Sequence, residues 1–448
     1  MLNNIFNTNQ IKDDLDSIQQ WGRDWTFKGK SNAKAIVFPD SEEQIYELIR
    51  YCNSSNQHLV PSGGRTGLTQ AATAINEEIV LSFDRFDKVL DFDHSSQTLI
   101  CQPGLITKDL QNFALNKNLF YPVDFASSSS SQIGGNIATN AGGIRVLKYG
   151  STRNWISGLK IISGSGTRLD CNLGLKKNNA GYDFRHLIIG SEGTLGAITE
   201  VEIELTSMPG TLKVCLAAVN HFDDINSIFS QLHTKINLHA FEFFCTNSMK
   251  QVQKEQIKTM SIDSTYKYYV LIEYLESEED LFFQQIDSLI SKSIILDPLI
   301  SSSNRQYKEL WSYRENISES LSLLNPKKYD VSIKRSAQSE FIEFLENQLL
   351  SNKLFSDIEA YIFGHIGDDN LHINLARVTH PDEDFNVIEE IVLNKVIALH
   401  GSISAEHGIG LSKKQSLKKM LSSDHINLMR GIKHQFDPNL ILNPGKIF

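Results

Sequence analysis

Residues Tyr121 to Gly143 read Y-P-V-D-F-A-S-S-S-S-S-Q-I-G-G-N-I-A-T-N-A-G-G, with two glycine pairs after a run of five serines. Glycine tolerates positive φ and lets another backbone or a ligand approach closely. A serine- and glycine-rich linker is a simpler interpretation of this composition. However, the apolar residues Ile133, Ile137 and Ala138 stand between the glycines. These residues favour a segment anchored in a core, so we expect a ligand-binding loop.

A second glycine-rich turn lies upstream, where a short strand at 58–60 runs into P-S-G-G-R-T-G-L at 61–68. No Gly-Lys-Ser/Thr ends this turn, so it is not a Walker P-loop, and it is not a G-x-G-x-x-G turn before a helix. Its backbone N–H groups could still form a nest that binds an anion. The turn therefore indicates a second contact for an anionic ligand.

Composition places the chain among globular proteins. The length of 448 residues predicts two or three domains. The hydrophobic fraction of 41% and the charged fraction of 21% are typical of globular proteins. The net charge of −10 argues against binding nucleic acid or anionic membranes, so an anionic substrate would need a local positive site. No apolar run approaches the ~18 residues of a transmembrane helix, and no secretory signal is visible. Five scattered cysteines without a C-x-x-C pair indicate a reduced, cytoplasmic protein.

Hydrophobic periodicity divides the chain in two. In the first half, strands at 35–38 and 59–60 flank a helix that begins after Ser41, which gives a β-α-β unit. Met208-Pro209-Gly210 marks a boundary, and from Leu212 strands and helices alternate as in a second α+β domain. An amphipathic helix is expected over 386–399.

Candidate metal ligands lie in the second half. Residues 361–375 predict a hairpin that carries His365 and His372, but two ligands make half a site, and a structural or surface role for them remains open. Asn374 shares a strand face with His372. The pair Glu406-His407 follows the amphipathic helix between glycine-rich turns. It could be a cap, an exposed ion pair, or a carboxylate ligand followed by a base.

The motifs together resemble those of the vanillyl-alcohol-oxidase (PCMH-type) FAD-binding oxidoreductases. The similar branch holds D-2-hydroxyglutarate dehydrogenases, D-lactate dehydrogenases and the glycolate-oxidase flavin subunit. The resemblance rests on P-S-G-G-R-T-G-L, the serine-glycine stretch, G-S-E-G-T-L-G, W-S-Y-R-E, G-H-I-G-D-D-N-L-H and A-E-H-G-I-G. It implies an α+β fold of three parts. These are a two-subdomain PCMH-type FAD-binding domain (1–206), an α+β substrate or cap domain with an antiparallel sheet that carries the hairpin (207–405), and a C-terminal segment that returns to the FAD domain (406–448).

The resemblance also implies the site residues, carried over by position. One divalent metal ion, usually zinc, would be held by His365, His372 and Glu406, with His407 as the catalytic base. The substrate would be bound by Arg314, Ser318, Lys328 and Asn374. Noncovalent FAD would be bound by Ser62, Gly63, Gly64, Arg65, Thr66, Gly67, Leu68, Pro122, Asp124, Ser130, Gly134, Gly135, Thr139, Asn140, Gly142, Glu192, Gly193, Ile198 and Asn443.

This chain departs from the family pattern at three places. Ser318 stands where threonine is usual, Asp369 replaces a common glycine, and Lys334-Arg335 stand where a proline is common. From the residues alone, Arg314 would be half of a surface ion pair and Lys328 a solvated charge. Together with Arg335 they give a surplus of positive charge, which favours a hydroxy diacid over D-lactate.

We therefore expect an FAD-dependent, metal-assisted dehydrogenase that oxidises a D-2-hydroxy acid by hydride transfer to flavin N5. The alternatives are a metal-independent flavin alcohol oxidase on the same fold and a flavin- or metal-binding protein without turnover. The expected partners are a small hydroxy acid and an electron acceptor, either a quinone, an electron-transfer flavoprotein or a cytochrome. A homodimer and peripheral membrane attachment are left open.

Overall fold

The computed structural model describes residues 2–26, 29–255, 262–352, 355–377, 379 and 385–448. The strands, in chain order, are β1 Ile11–Lys12, β2 Ala35–Val37, β3 Leu59–Ser62, β4 Ile79–Ser82, β5 Val89–Asp93, β6 Thr98–Cys101, β7 Leu119–Phe120, β8 Ile156–Ser163, β9 Arg168–Leu173, β10 Gly196–Glu204, β11 Thr206–Ser207, β12 Leu212–Val219, β13 Ala240–Cys245, β14 Tyr268–Leu275, β15 Leu296–Ile300, β16 Lys327–Ser332, β17 Ile358–Gly364 and β18 Asn370–Arg377. The α-helices are α1 Leu15–Trp21, α2 Glu42–Ser55, α3 Thr107–Asn116, α4 Ile133–Thr139, α5 Val146–Tyr149, α6 Arg185–Ile188, α7 Phe222–His233, α8 Thr246–Glu255, α9 Glu279–Ser291, α10 Asn304–Glu315, α11 Ile317–Ser320, α12 Arg335–Glu343, α13 Asn386–Ala398, α14 Lys414–Met420 and α15 Ser423–Phe436.

The chain forms two compact units. The first comprises Met1–Gly142, Gly150–Met208 and Glu406–Phe448, and the second comprises Gly143–Tyr149 and Pro209–Ala405. The short segment Gly143–Tyr149, inside the range predicted for the FAD-binding domain, thus belongs to the second unit. We call it the inserted segment.

The first unit contains two larger sheets. In one, the order is β1-β2-β4-β3, and β4 runs parallel to both β2 and β3. The other is antiparallel with the order β5-β6-β10-β8-β9. The predicted β-α-β unit is confirmed, because α2 begins after the N-cap Ser41 and connects β2 to β3.

The serine-glycine stretch is part of this first unit's core. Ile133 and Ile137 lie on α4 with no exposed surface, and they pack in one cluster with Tyr121. Burying side chains of this size stabilises the fold by about 1.5–3 kcal/mol each. The expectation of an anchored segment is confirmed, and the linker interpretation is wrong.

The second unit is built on one seven-stranded antiparallel sheet with the order β15-β12-β14-β13-β17-β18-β16. The predicted hairpin is confirmed as β17 and β18, joined by a 3₁₀ turn at Ile366–Asp368. Asp369 follows this turn at φ 70°, which Asp tolerates better than most residues, so glycine is not required there. The predicted amphipathic helix is α13.

Two further expectations concern the whole chain. No helix in the described ranges is both long and apolar enough to span a bilayer. All five cysteines are free thiols, and those other than Cys245 are buried.

Candidate functional site

The two glycine-rich loops of the first unit pack directly against each other. A Cβ on Gly64 would lie 2.2 Å from the carbonyl oxygen of Ser130, so glycine is required at this approach. A Cβ on Gly135 would meet nothing within 4 Å, so the backbone there faces open space. Asp84 ties the loops together, because it pairs with Arg65 at 3.1 Å and accepts from Gln132 Nε2 at 2.9 Å. The arrangement is a rigid backbone surface suited to a ligand.

Buried polar atoms beside these loops fit a cofactor. Ser62 Oγ and Asn443 Oδ1 are buried and have no hydrogen-bond partner among the described residues. Such atoms ordinarily have a partner, so they indicate a polar ligand. The Asn443 amide is fixed because its Nδ2 donates to the carbonyl oxygens of Ala71 and Glu192. These groups and the open backbone at Gly135 match what FAD requires.

Not every residue predicted to bind FAD has a side chain available for it. Asn140 Oδ1 accepts from Ser151 Oγ and the Arg153 N–H, both at 3.0 Å. Thr139 Oγ1 donates back to the Gly135 carbonyl within α4. The side-chain oxygens at both positions are therefore already engaged within the first unit.

The carboxylate of Glu192 holds the loop that carries His407. It accepts from the backbone N–H groups of Ile409 at 2.7 Å and Gly410 at 2.8 Å. Burial raises the pKa of Glu192, and the two N–H donors act in the opposite direction. Thr69 Oγ1 donates to the His407 carbonyl at 3.2 Å. Glu192 was predicted as an FAD contact, and its side chain fixes the His407 loop.

In the second unit, strand register gathers the predicted residues on one sheet face. Asp330 of β16 lies opposite His372 of β18, and Lys328 lies opposite Asn374. Residues directly opposite in a sheet share a face, as do residues two apart along a strand. We call this side of the sheet, which also carries Phe363, the site face.

The two hairpin histidines stand next to each other, with ring centroids 5.3 Å apart and planes at 83°. Each has a buried acid beside Nδ1. His365 Nδ1 lies 2.9 Å from the Glu242 carboxylate, and His372 Nδ1 lies 3.6 Å from Asp330 Oδ1. Metal-bound histidines commonly have a carboxylate at the ring nitrogen that does not bind the metal. The donor set therefore suits a divalent metal held through Nε2.

Glu406 is the first residue of the C-terminal part of the first unit. It is the residue after Ala405, the last residue of the second unit, and the Ala405 N–H donates to the Asp330 carbonyl at 3.3 Å.

The predicted substrate residues differ in exposure. Arg314, on α10, is 5% exposed and its Nε lies 2.8 Å from Glu242 Oε2. It is therefore not half of a surface ion pair. Asn374 is buried, whereas Lys328 and Ser318 are exposed. Glu242 therefore holds the arginine in place, while the lysine and the serine are accessible to a ligand.

Arg335 does not belong to this group of cations. Its Nη2 donates to the Gly367 carbonyl at 2.9 Å, and its guanidinium stacks 3.7 Å from the ring centroid of Phe229. Phe229 packs on Phe241, which precedes Glu242 on β13 and so points to the opposite sheet face. The expected contribution of Arg335 to substrate charge is wrong, because the guanidinium is engaged behind the sheet.

Three buried acidic residues of the second unit were not among the predicted site residues. Glu242, Glu273 and Asp330 each have at most 1% of their surface exposed. Glu242 stands in A-F-E-F-F-C and Glu273 in V-L-I-E-Y-L, single charges in otherwise apolar strands. Because a buried charge needs a partner, this pattern is the signal that could have identified them.

Known protein families match both halves of the chain. Residues 33–172 match the family description "FAD binding domain", and residues 208–447 match "FAD linked oxidases, C-terminal domain". The chain belongs to the FAD-linked oxidase family. It is 40% identical to a D-2-hydroxyglutarate dehydrogenase of Stutzerimonas stutzeri over 455 residues, covering 100% of this chain and 98% of the relative.

Other relatives give the same result. A D-2-hydroxyglutarate dehydrogenase of Xanthomonas citri pv. viticola is 42% identical, with 98% and 94% of the two chains covered. Among solved structures, p-cresol methylhydroxylase is similar with a TM-score of 0.78 at 14% identity. The match covers 100% of this chain and 95% of the p-cresol methylhydroxylase chain. The predicted family and α+β fold class are confirmed, and the protein is an FAD-dependent oxidoreductase.

Proposed function

We propose that this protein oxidises a D-2-hydroxy acid, D-2-hydroxyglutarate first, to the corresponding 2-oxo acid. The observation that carries the proposal is the site face, where the paired histidines and Asn374 stand with Arg314 and Lys328. Two full-length relatives at 40% and 42% identity that are named D-2-hydroxyglutarate dehydrogenases support the choice of substrate.

Two cations, Arg314 and Lys328, can bind the carboxylates of the substrate. Arg314 Nη2 is buried and has no hydrogen-bond partner in the described part of the chain, while Nε is held by Glu242. A guanidinium fixed in this way binds a carboxylate with a defined orientation. Lys328 lies on the site face and is accessible, so it can bind the second carboxylate of a diacid. Asn374 beside it supplies an amide donor.

The proton and the hydride leave the substrate by different routes. His407 accepts the hydroxyl proton while the Cα–H bond breaks and the carbonyl forms, and Ser318 supplies a hydroxyl for orientation. Bound FAD supplies the two-electron acceptor for the hydride.

We further propose one divalent metal ion, zinc in the first instance, held by His365, His372 and Glu406. The carboxylates at both Nδ1 atoms support this ligand set, because they leave Nε2 as the ligating atom. When bound, such an ion lowers the pKa of a coordinated hydroxyl.

We also propose that the protein is cytoplasmic. Its electrons would pass to a quinone, an electron-transfer flavoprotein or a cytochrome. The reduced flavin must be reoxidised after each turnover, and an acceptor from one of these classes closes the electron balance.

The test is anaerobic reduction of the purified yellow holoenzyme by a panel of D- and L-2-hydroxy acids. We expect D-2-hydroxyglutarate to bleach the flavin near 450 nm faster than D-lactate, with the L-acids inactive. A flavin that no hydroxy acid bleaches contradicts the proposal. Turnover with oxygen that survives complete metal removal would favour the metal-independent oxidase instead.

A further inference from the structure

Glu242 is a buried carboxylate in the centre of the second unit. It lies on β13 with 1% of its surface exposed, between Phe241 and Phe243. An isolated carboxylate in such a place is costly, so its partners must compensate it. The partners are a cation and an imidazole that belong to two different parts of the proposed site.

The first partner is Arg314. Its Nε lies 2.8 Å from Glu242 Oε2, and its guanidinium lies 4.9 Å from the ring centroid of Phe363. The ion pair and the ring contact hold the guanidinium between Glu242 and Phe363. The buried Nη2, which has no hydrogen-bond partner in the described ranges, remains for an anion.

The second partner is His365, whose Nδ1 lies 2.9 Å from the same carboxylate. A carboxylate at Nδ1 selects the tautomer that carries its proton there and leaves Nε2 as the basic nitrogen. Glu242 therefore sets both the orientation and the tautomer of this ring.

The other histidine of the pair has a different arrangement. Asp330, beside His372 Nδ1, also accepts from Asn370 Nδ2 at 2.9 Å, and Asn370 is a structural neighbour in β18. Glu242 contacts both a proposed metal ligand, His365, and a proposed substrate contact, Arg314.

We propose that Glu242 is a positioning residue that couples the metal site to the substrate-carboxylate site. This inference rests on the proposed function and deepens it. One carboxylate orients the ring of His365 and pairs with the guanidinium of Arg314, so a change at Glu242 affects metal binding and substrate binding together.

The test variant is Glu242→Gln, which keeps the side-chain shape but removes the charge. Holoenzyme is treated with a strong chelator, its FAD content is checked at 450 nm, and Zn²⁺ alone is titrated back by calorimetry. We expect Zn²⁺ affinity to fall about 10–100-fold, the usual effect of losing an outer-shell carboxylate. In Zn²⁺-saturated enzyme, the Kd for the 2-oxo acid product should rise as well.

The matched control is Glu273→Gln, another buried glutamate on the adjacent strand β14. Glu273 is held by Arg145 at 3.3 Å and accepts from Trp311 Nε1 at 3.1 Å. We expect this variant to lower the Tm while leaving Zn²⁺ affinity and product Kd at wild-type values. A general loss of packing would instead affect both variants alike.

Glu242→Asp covers the case in which the Gln variant does not fold. It keeps the charge but withdraws the oxygens from both partners, so a smaller loss of Zn²⁺ affinity and product binding is expected. Wild-type Zn²⁺ affinity and product Kd in the folded variant would overturn the inference. Failure of the proposed function is a separate outcome, since it appears as wild-type flavin that no D-2-hydroxy acid bleaches.

Discussion

His407 is the residue on which the proposed proton transfer depends. Its loop is held by the carboxylate of Glu192, which accepts from the N–H groups of Ile409 and Gly410, and by Thr69 at the His407 carbonyl. The backbone around the imidazole is thereby fixed within the first unit. Fixing this backbone limits the positions that the imidazole of His407 can reach.

We predict that His407→Asn slows flavin reduction by D-2-hydroxyglutarate about 10²–10⁴-fold, the typical loss for a general base. FAD content and Zn²⁺ content should stay at wild-type levels, because the substituted position belongs to neither of the proposed ligand sets. Anaerobic stopped-flow absorbance measures the rate. A near-wild-type rate would show that another group accepts the proton.

Lys328 is the residue we expect to distinguish a diacid from lactate. It lies opposite Asn374 on the site face and is exposed, whereas Arg314 is buried. Lactate has one carboxylate, which one cation can bind. The second carboxylate of 2-hydroxyglutarate needs the other cation.

We predict that Lys328→Met lowers kcat/KM for D-2-hydroxyglutarate more than for D-lactate, by about 1–3 kcal/mol in transition-state binding. Steady-state kinetics with an artificial electron acceptor give both values. Exposed Lys292, next to the C-terminal end of α9, offers a matched control as Lys292→Met, with no change in the ratio expected. Equal losses for the two substrates in the Lys328 variant would assign the distal carboxylate to another group.

Among the elements, the inserted segment Gly143–Tyr149 is held to the rest of the second unit by an ion pair and a ring contact. Arg145 pairs with the buried Glu273, and the ring of Tyr149 meets that of His239 edge-on at 5.6 Å. Both ring nitrogens of His239 are buried and have no hydrogen-bond partner among the described residues. Burial, with smaller effects of Lys148 and Arg145, lowers the His239 pKa to about 4.

This element gives a pH prediction. In the folded state His239 stays neutral, so in the window from about pH 6.5 to about pH 4 the unfolded chain binds a proton that the folded chain does not. The contribution of His239 to stability is therefore complete above pH 6.5 and falls with the pH, by at most about 3 kcal/mol. His239→Leu should lose less stability than wild type between pH 7 and pH 4.5.

Thermal unfolding followed by circular dichroism at several pH values measures this difference. His425→Gln, at an exposed histidine of α15, is the control and should retain the wild-type pH slope. A His239→Leu slope equal to that of wild type would mean that folding does not lower the pKa of this imidazole.

Across the whole molecule, neighbouring residues in sequence were enough to predict much of the fold. Glycine pairs, the boundary at Met208, the hairpin turn and helical periodicity depend on residues close along the chain, and they indicated the α+β class and the family. His365 and His372 were recognisable as candidates because a hairpin brings them together with seven residues of separation. These features follow from local backbone preferences and side-chain alternation.

Contacts that depend on strand order could be identified only from the folded structure. β13 pairs with β17 as well as with β14. The pairing with β17 brings Glu242 to His365 across 123 residues. Glu192 reaches Gly410 across 218 residues, and Arg335 lies behind the sheet. No local pattern encodes these pairs, because strand order and register are set when whole apolar faces are buried together. The chain pattern thus determined the kinds of groups at the site, while burial of the sheet faces determined which of them meet.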